Sequence, residues 1–522
     1  MRVYSGKILT CDREDNVYRY LIEDNGKISY VGNEIPENLV KAEFIDLGEK
    51  ALIPTFVDTH SHFASYAVLA SATILSHAKS NLEIKSILKE ANSRIKPKKT
   101  IIAFGASPIK VAEGRLITKA ELDEVVPDRY ILVIASDGHS LIVNSKTLNK
   151  LPKELANIRG YNADTGIMRH EAFYKVVDHI PKLLKRLDIV NFMQDAINGL
   201  IEKGIGMVDA VSGSGFPGDL DVDLIRWIAR GQDNGFQMRI YFQTFETEKV
   251  IKRGFPRLGG CFKTALDGSI TSRDAAMLKP YEGSDNYGIL YYTDEQLYEY
   301  LSKAHNLGLQ IVMHAIGDAA FAQATRTYKK VIDANPRANH RHGIIHASMI
   351  TDEGLQICKD YNLQILAQPA FIDMTGEIFQ PMYEVLGDRV YEAEPHRRFL
   401  KNGIMMSAGS DAPVTLPNPI EWLYKACNNP NIINQMTINE ALKICTYNGY
   451  YTTFDEDKRG SLEVGKIADM VILSKNPYEV PKEELNTLKV VKTYLGGKEF
   501  IAKKKKRIVL TIIKGLLRKD IC

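Results

Sequence analysis

PTFVDTHSHF, residues 54–63, places two histidines one residue apart at the end of a short apolar run. In a β-strand, residues i and i+2 share a face. His60 and His62 would therefore point the same way, as two imidazoles gripping one metal ion must. By itself the tripeptide is common, and two chance loop histidines fit it as well. The surrounding chain decides between the readings.

Downstream, strand-like and helix-like segments alternate, which implies an α/β fold with a parallel sheet. The stretch from Thr293 shows the pattern. Thr293 and Gln296 form a capping box, Leu297, Leu301 and Ala304 make an apolar stripe, and Gly308 stops the helix before the strand LQIVMH. Strands are expected at 53–60, 205–210, 238–243, 261–267, 309–314, 343–346, 363–368 and 404–410. Eight is the number for a (β/α)8 TIM-type barrel. Residues 70–195 or so then become a large insertion after the first barrel strand, with a strand of its own at 131–136. The two chain ends, 1–53 and 455–502, are β-rich and are expected to pair as one small β-sandwich domain around a barrel of residues 54–454. Asn25-Gly26 marks a hairpin in the first of them.

The chain has 522 residues, 45% hydrophobic and 25% charged, an ordinary globular composition. Its six cysteines are scattered without a C-x-x-C pair, which excludes a disulfide scaffold and a cysteine-only zinc site and implies a reducing, cytoplasmic setting. The first residues lack the apolar core of a signal peptide, and no apolar run is long enough to span a membrane. The net charge is +3, but residues 503–522 carry +7, which leaves −4 on the rest. No nucleic-acid groove is implied for the body. The tail reads as a basic amphipathic helix suited to an anionic membrane surface, as a frayed soluble extension, or as a helix packed on a neighbouring subunit.

The expected strand ends gather chemistry. The first carries His60 and His62, the fourth Lys263 ahead of Asp267, the fifth His314, the sixth His346, and the eighth is followed by Asp411. In (β/α)8 enzymes the site lies at this face. Lys263 also fits a plain ion pair with Asp267. Asp267, Ser269 and Arg273 fit either substrate contact or structural support. His305 reads as an ordinary amphipathic helix position, and His340, His342 and His396 as surface or packing residues.

PTFVDTHSHF, LDEVVPDRYILVIASDGHSLIVNS, FKTALDGSITSRDAAML, MHAIGDAA, HRHGIIHAS, AGSDAPV and RGSLEVGKIADMVIL together resemble the amidohydrolase superfamily. They most resemble its amidohydrolase family 3, the branch of metal-dependent hydrolases like N-substituted formamide deformylase. The resemblance runs from residue 1 to about 500. It implies that His60, His62 and Asp411 bind one metal and His314 and His346 a second, with Lys263 carboxylated by CO2 as the bridge. Zinc, one ion or two, suits such ligands. It further implies hydrolysis of a C–N bond, amide or N-formyl/N-acyl, of a small molecule through a metal-bound hydroxide, in a homo-oligomer. Asp411 would be the proton carrier. His139, in SDGH, would stabilise the oxyanion, although a surface loop histidine fits that position equally. Two positions depart from the family pattern: Thr55 stands where Gly is usual, and Ile345 where an acid is common. A mononuclear deaminase of the same superfamily is the nearest alternative, but the Glu expected three residues after the fifth-strand histidine is Gly317 here. The other alternative is a barrel that has lost catalysis and serves as a binding scaffold.

Overall fold

Short runs of mostly buried, largely apolar residues make the central sheet, as expected for parallel strands covered on both faces. The computed structural model describes residues 1–522 except 38, 40, 41, 137–139, 178, 215, 373–378, 503–507 and 519–522. Eight strands form this sheet: β1 Phe56–Ser61, β2 Ile205–Ser212, β3 Gln237–Phe242, β4 Arg257–Ala265, β5 Gln310–Ala315, β6 Gly343–His346, β7 Gln364–Ala367 and β8 Met406–Ala408. They pair in chain order, every neighbour parallel. The two edges then meet. Ser61 bridges Ala412, the His62 N–H donates to Ala412 O at 2.8 Å, and the Asp411 N–H to His60 O at 2.7 Å. Val211, Tyr241, Val312, Ile345 and Leu366, one from each of five strands, pack together as a buried cluster, as the layered interior of such a barrel requires.

The eight expected strands are all present, within a few residues of their expected bounds. The helix after Thr293 runs Asp294–Asn306 with its capping box formed. Ile345, the residue in place of an acid, belongs to the interior cluster. Thr55, in place of Gly, is buried with its hydroxyl 2.7 Å from Tyr450 Oη.

Both chain ends contribute to one seven-stranded sheet, in the order Lys498–Glu499, Val490–Leu495, Met470–Leu473, Glu43–Pro54, Arg2–Leu9, Val17–Asp24, Lys27–Gly32. Met470–Leu473 pairs antiparallel with residues 51–54, which joins the C-terminal block to the N-terminal one. Asn25 and Gly26 both take positive φ, 50° and 85°, the two-residue turn that matches strand twist. The chain divides into two compact units. One holds Met1–His62, Asn198–Ser214 and Val222–Cys522, and so contains both the barrel and the end sheet. The other holds Phe63–Ile197 and Gly215–Asp221, with a five-stranded sheet of its own that includes Ile131–Ala135.

The tail helix, Ile508–Leu517, lies on the helix Leu220–Gly231. Gly515 and Gly231 allow this. A Cβ on Gly515 would stand 1.8 Å from Trp227 O, and one on Gly231 1.8 Å from Thr511 O. Arg518 donates to Arg230 O at 2.8 Å, and Lys514 pairs with Asp233 at 3.2 Å. Val509, Leu510, Ile513, Leu516 and Leu517 remain exposed in a row. No described helix is long and apolar enough to cross a membrane.

His305, His340 and His342 are buried, which selects packing over surface for His340 and His342. His342 Nδ1 accepts the Ile311 N–H at 3.0 Å, so its Nε2 carries the proton toward His305 Nδ1 at 2.8 Å. His305 Nε2 donates to Asn335 O at 2.8 Å, and His340 Nε2 to Tyr361 O at 3.0 Å. The chain of bonds is complete with all three rings neutral. Burial pushes His340 down to about 4 and lowers His342 and His305 as well. Folded-state values below the unfolded value of 6.5 mean stability that is present above that pH and lost as pH falls below it. The thermal midpoint is therefore expected to drop steadily between about pH 6.5 and 4. A flat midpoint over that window would contradict the neutral chain.

Candidate metal centre

The first strand delivers its histidines as the i, i+2 rule requires. His60 Nε2 and His62 Nε2 each stand 3.1 Å from the same oxygen, Asp411 Oδ1. Asp411 arrives from the turn after β8 at φ 55°, a left-handed conformation that Asp tolerates better than most residues. Asp58, wholly buried, builds that turn: its carboxylate accepts the Ser410 N–H at 2.8 Å and the Ser410 hydroxyl at 2.6 Å. Burial lifts the Asp58 carboxyl to about 7.

His346 ends β6 at φ 71°. Its ring stands 5.5 Å from that of His60 and 4.6 Å from that of His314. Its Nδ1 donates to Gln368 Oε1 at 2.7 Å, while Gln368 Nε2 donates to Leu366 O at 3.0 Å. Gln368 thus fixes the tautomer and leaves the His346 Nε2 lone pair facing the site. The sequence reading missed this partner; its only signal was a polar residue just past the seventh strand. Phe371 stacks on the His346 ring at 5.8 Å and 11°. His314 turns Nε2 toward Gly268 O and Asp267 Oδ1, each at 3.4 Å.

The surroundings of Asp267 are those of structural support. It is buried, and its oxygens accept the N–H groups of Ile316 at 3.0 Å, Gly317 at 2.8 Å and Ala276 at 2.9 Å. It thereby ties the end of β4 to the end of β5. No ion pair joins it to Lys263 in the described geometry. Lys263 is exposed, and its amine donates to Gly213 O at 2.6 Å.

The expected bridge therefore stands elsewhere. The β4–β5 register jumps between Gly260 and Ala265, and Phe262 takes φ 45°. Residues 261–264 bulge out of the ladder and carry Lys263 away. The strand presents Cys261 instead, with Sγ 3.4 Å from His60 Nε2 and 3.8 Å from His346 Nε2. Two groups result, each with ligand atoms within 4.8 Å of one another: His60, His62, Cys261 and Asp411, and Cys261, His314 and His346. The lone C-x-x-C test applied to the sequence could not reveal a cysteine that completes a histidine cluster in space. His139 lies outside the described residues.

These groups fit a cation. Asp411 Oδ1 and His314 Nδ1 are buried without a hydrogen-bond partner. The two Nε2 atoms approach Asp411 Oδ1 out of line for a hydrogen bond, a carboxylate and imidazoles converging on a common point. Burial lowers His60, although Asp411 opposes it, and burial with His314 nearby sets His346 well below its usual value. Both are therefore neutral, as ligands must be.

The sequence profile described as the amidohydrolase family matches residues 43–501. YtcJ of Bacillus subtilis (strain 168), a protein assigned to the amidohydrolases, is 24% identical over 93% of this chain and 96% of its own. N-substituted formamide deformylase of Arthrobacter pascens is 23% identical over 95% of this chain and 97% of its own. An uncharacterized metal-dependent hydrolase from Pyrococcus furiosus shares the fold with a TM-score of 0.76, at 23% identity over 92% of this chain and all of that one.

Proposed function

From the premise that this chain belongs to the amidohydrolase family, and is thus a metal-dependent hydrolase, we propose that it cleaves the C–N bond of a small amide, N-formyl or N-acyl amine. The observation that carries the reading is the convergence of His60, His62, Asp411, His314 and His346 at the barrel mouth with buried, unpartnered ligand atoms. His60, His62 and Asp411 would hold one ion and His314 with His346 a second; zinc suits nitrogen and oxygen donors best. A bound divalent ion supplies Lewis acidity toward a carbonyl oxygen and toward water. The protein does the rest. Asp411 takes the water proton at Oδ2 and returns it to the leaving amine. Gln368 and Asp267 keep the His346 and His314 rings aimed. Phe371 walls one side against bulk water. The oxyanion role of His139 is part of this proposal.

A deaminase is disfavoured at one position. A Cβ on Gly317 would stand 2.0 Å from Ala276 O, so no glutamate fits there without moving the backbone.

The test is metal per chain by mass spectrometry, with amine release from a panel of N-formyl and N-acyl amines. About two ions per wild-type chain are expected, fewer in His60→Ala, together with release from at least one substrate class. Absence of metal and of amine release would sink the reading.

Three further features belong to the proposal. The chain ends form a composite β-sandwich domain, and the second unit is an insertion into the barrel. Five free cysteines among the described residues, all buried, Cys11, Cys261, Cys358, Cys427 and Cys445, favour a reducing, cytoplasmic setting; a homo-oligomer is proposed from the family resemblance alone. The exposed apolar row on the tail helix, flanked by eight Lys and Arg within 503–522, meets an anionic membrane surface weakly. Flotation with anionic but not neutral vesicles, lost on truncation after Phe500, is expected. Equal behaviour of the full and the shortened chain would remove the membrane contact, and concentration-dependent self-association through the row would assign it to a second copy.

A further inference from the structure

We infer that Cys261, as a thiolate, is this chain's own bridge between the two halves of the metal centre, in the place expected of a modified Lys263. The inference rests on the metal-site reading above. Cys261 is the one residue common to both ligand groups. Its Sγ lies 3.4 Å from a nitrogen of the first group and 3.8 Å from a nitrogen of the second. It is held there from two sides. Its N–H donates to Gln243 Oε1 at 3.0 Å, and its carbonyl accepts the Thr264 hydroxyl at 3.2 Å. Gln243 is buried and can approach because residue 260 is glycine; a Cβ there would stand 2.8 Å from Gln243 Cγ.

Position and chemistry agree. Residue 261 is the first beyond Gly260, where the regular β4–β5 pairing breaks off before resuming at Ala265, and its Sγ reaches the mouth beside His60 and His346. Lys263 rides the bulge, with its amine committed to Gly213 O. To become a carbamate ligand it would have to leave that carbonyl, turn inward and capture CO2. The thiol already stands in place and has a proton to give up, one that burial holds more tightly than usual. A divalent ion held there would replace the thiol proton: the S–H bond would give way to a bond from the sulfur pair to the ion, and the proton would pass to solvent. Cys261 would then supply the negative charge that a carbamate would otherwise supply, and zinc and cobalt both accept thiolate.

The test uses the full-length protein stripped with chelator and reloaded with Co2+. A thiolate on Co2+ gives a near-ultraviolet charge-transfer band that histidine and carboxylate ligands do not. The wild type is expected to show this band and to bind about two ions. Lys263→Gln should keep both. Cys261→Ser should lose the band and hold at least one ion tenfold or more weakly, with Cys261→Ala repeating the result and far-ultraviolet circular dichroism confirming that each variant folds. Two bound cobalt ions without the band in the wild type would overturn the bridge while leaving the metal-site reading intact. So would Lys263→Gln losing an ion that Cys261→Ser retains. No cobalt binding by the wild type would overturn both. The wild-type band does not depend on any variant folding.

Discussion

Asp411→Asn is expected to lower kcat by roughly 10²–10⁴-fold, the usual contribution of a positioned acid–base group. The substitution is chosen for its backbone. Residue 411 sits at φ 55°, where Asn is about as comfortable as Asp and Ala is strained. Its main-chain bonds, N–H to His60 O and C=O from the Val414 N–H at 2.9 Å, are untouched. The turn should therefore persist and present an amide of nearly the same shape to His60 and His62. What disappears is the negative charge and the ability to carry a proton. Asn retains one oxygen, and the two imidazoles still face it, so part of the first-group metal should stay. Loss of turnover with most of the metal retained separates proton transfer from simple metal loss. The check is kcat on the best substrate from the amine-release panel, with metal content measured on the same sample. Activity within tenfold of wild type would remove Asp411 from the proton path.

Much of this could be read from the residues because barrel chemistry sits at strand ends and strands have a period of two. His60 and His62 were legible as a same-face pair, and both reach one oxygen in the fold. His314, His346 and Asp411 were legible as strand-end residues for the same reason. The fourth strand was not. Its regular reading places Cys261 and Lys263 on one face, but a bulge between Gly260 and Ala265 separates their fates. Bulges depend on neighbouring strands and leave little local signal. Gln368 was hidden because an amide past a strand end looks like any loop residue until its partner is known. His305 reads as an amphipathic helix position and His340 and His342 as surface or packing residues; burial of a polar ring is decided by tertiary packing, not by its own helix or loop, so the choice between surface and packing is not local. The tail glycine, Gly515, looked like a helix breaker; against Trp227 it is the residue that lets two helices touch.

Asp267→Asn should destabilise the unit that contains the barrel by roughly 2–5 kcal/mol, from the cost of leaving buried donors unpaired. Asp267 follows the expected bridging lysine in sequence, and its motif suggests substrate contact as readily as support. Its surroundings favour support. It is buried to 1% exposure and accepts three backbone N–H groups, from Ala276, Ile316 and Gly317. Asn keeps Oδ1 for Ile316 but places an NH2 where Oδ2 served Ala276 and Gly317. Two donors would then face a donor in a space without room for an extra side chain, since even a Cβ at 317 meets Ala276 O. The loops after β4 and β5 would part, and His314, 3.4 Å from Asp267 Oδ1, would lose its guide. Trp227 and Trp422 are the chain's two tryptophans, and both lie in the unit that holds the barrel. Their fluorescence during urea unfolding therefore reports this unit directly. A lowered urea midpoint accompanied by weaker binding of the second metal ion is the expected pair of results. An unchanged midpoint with a raised KM would mean that Asp267 faces substrate, and the motif's other reading would stand.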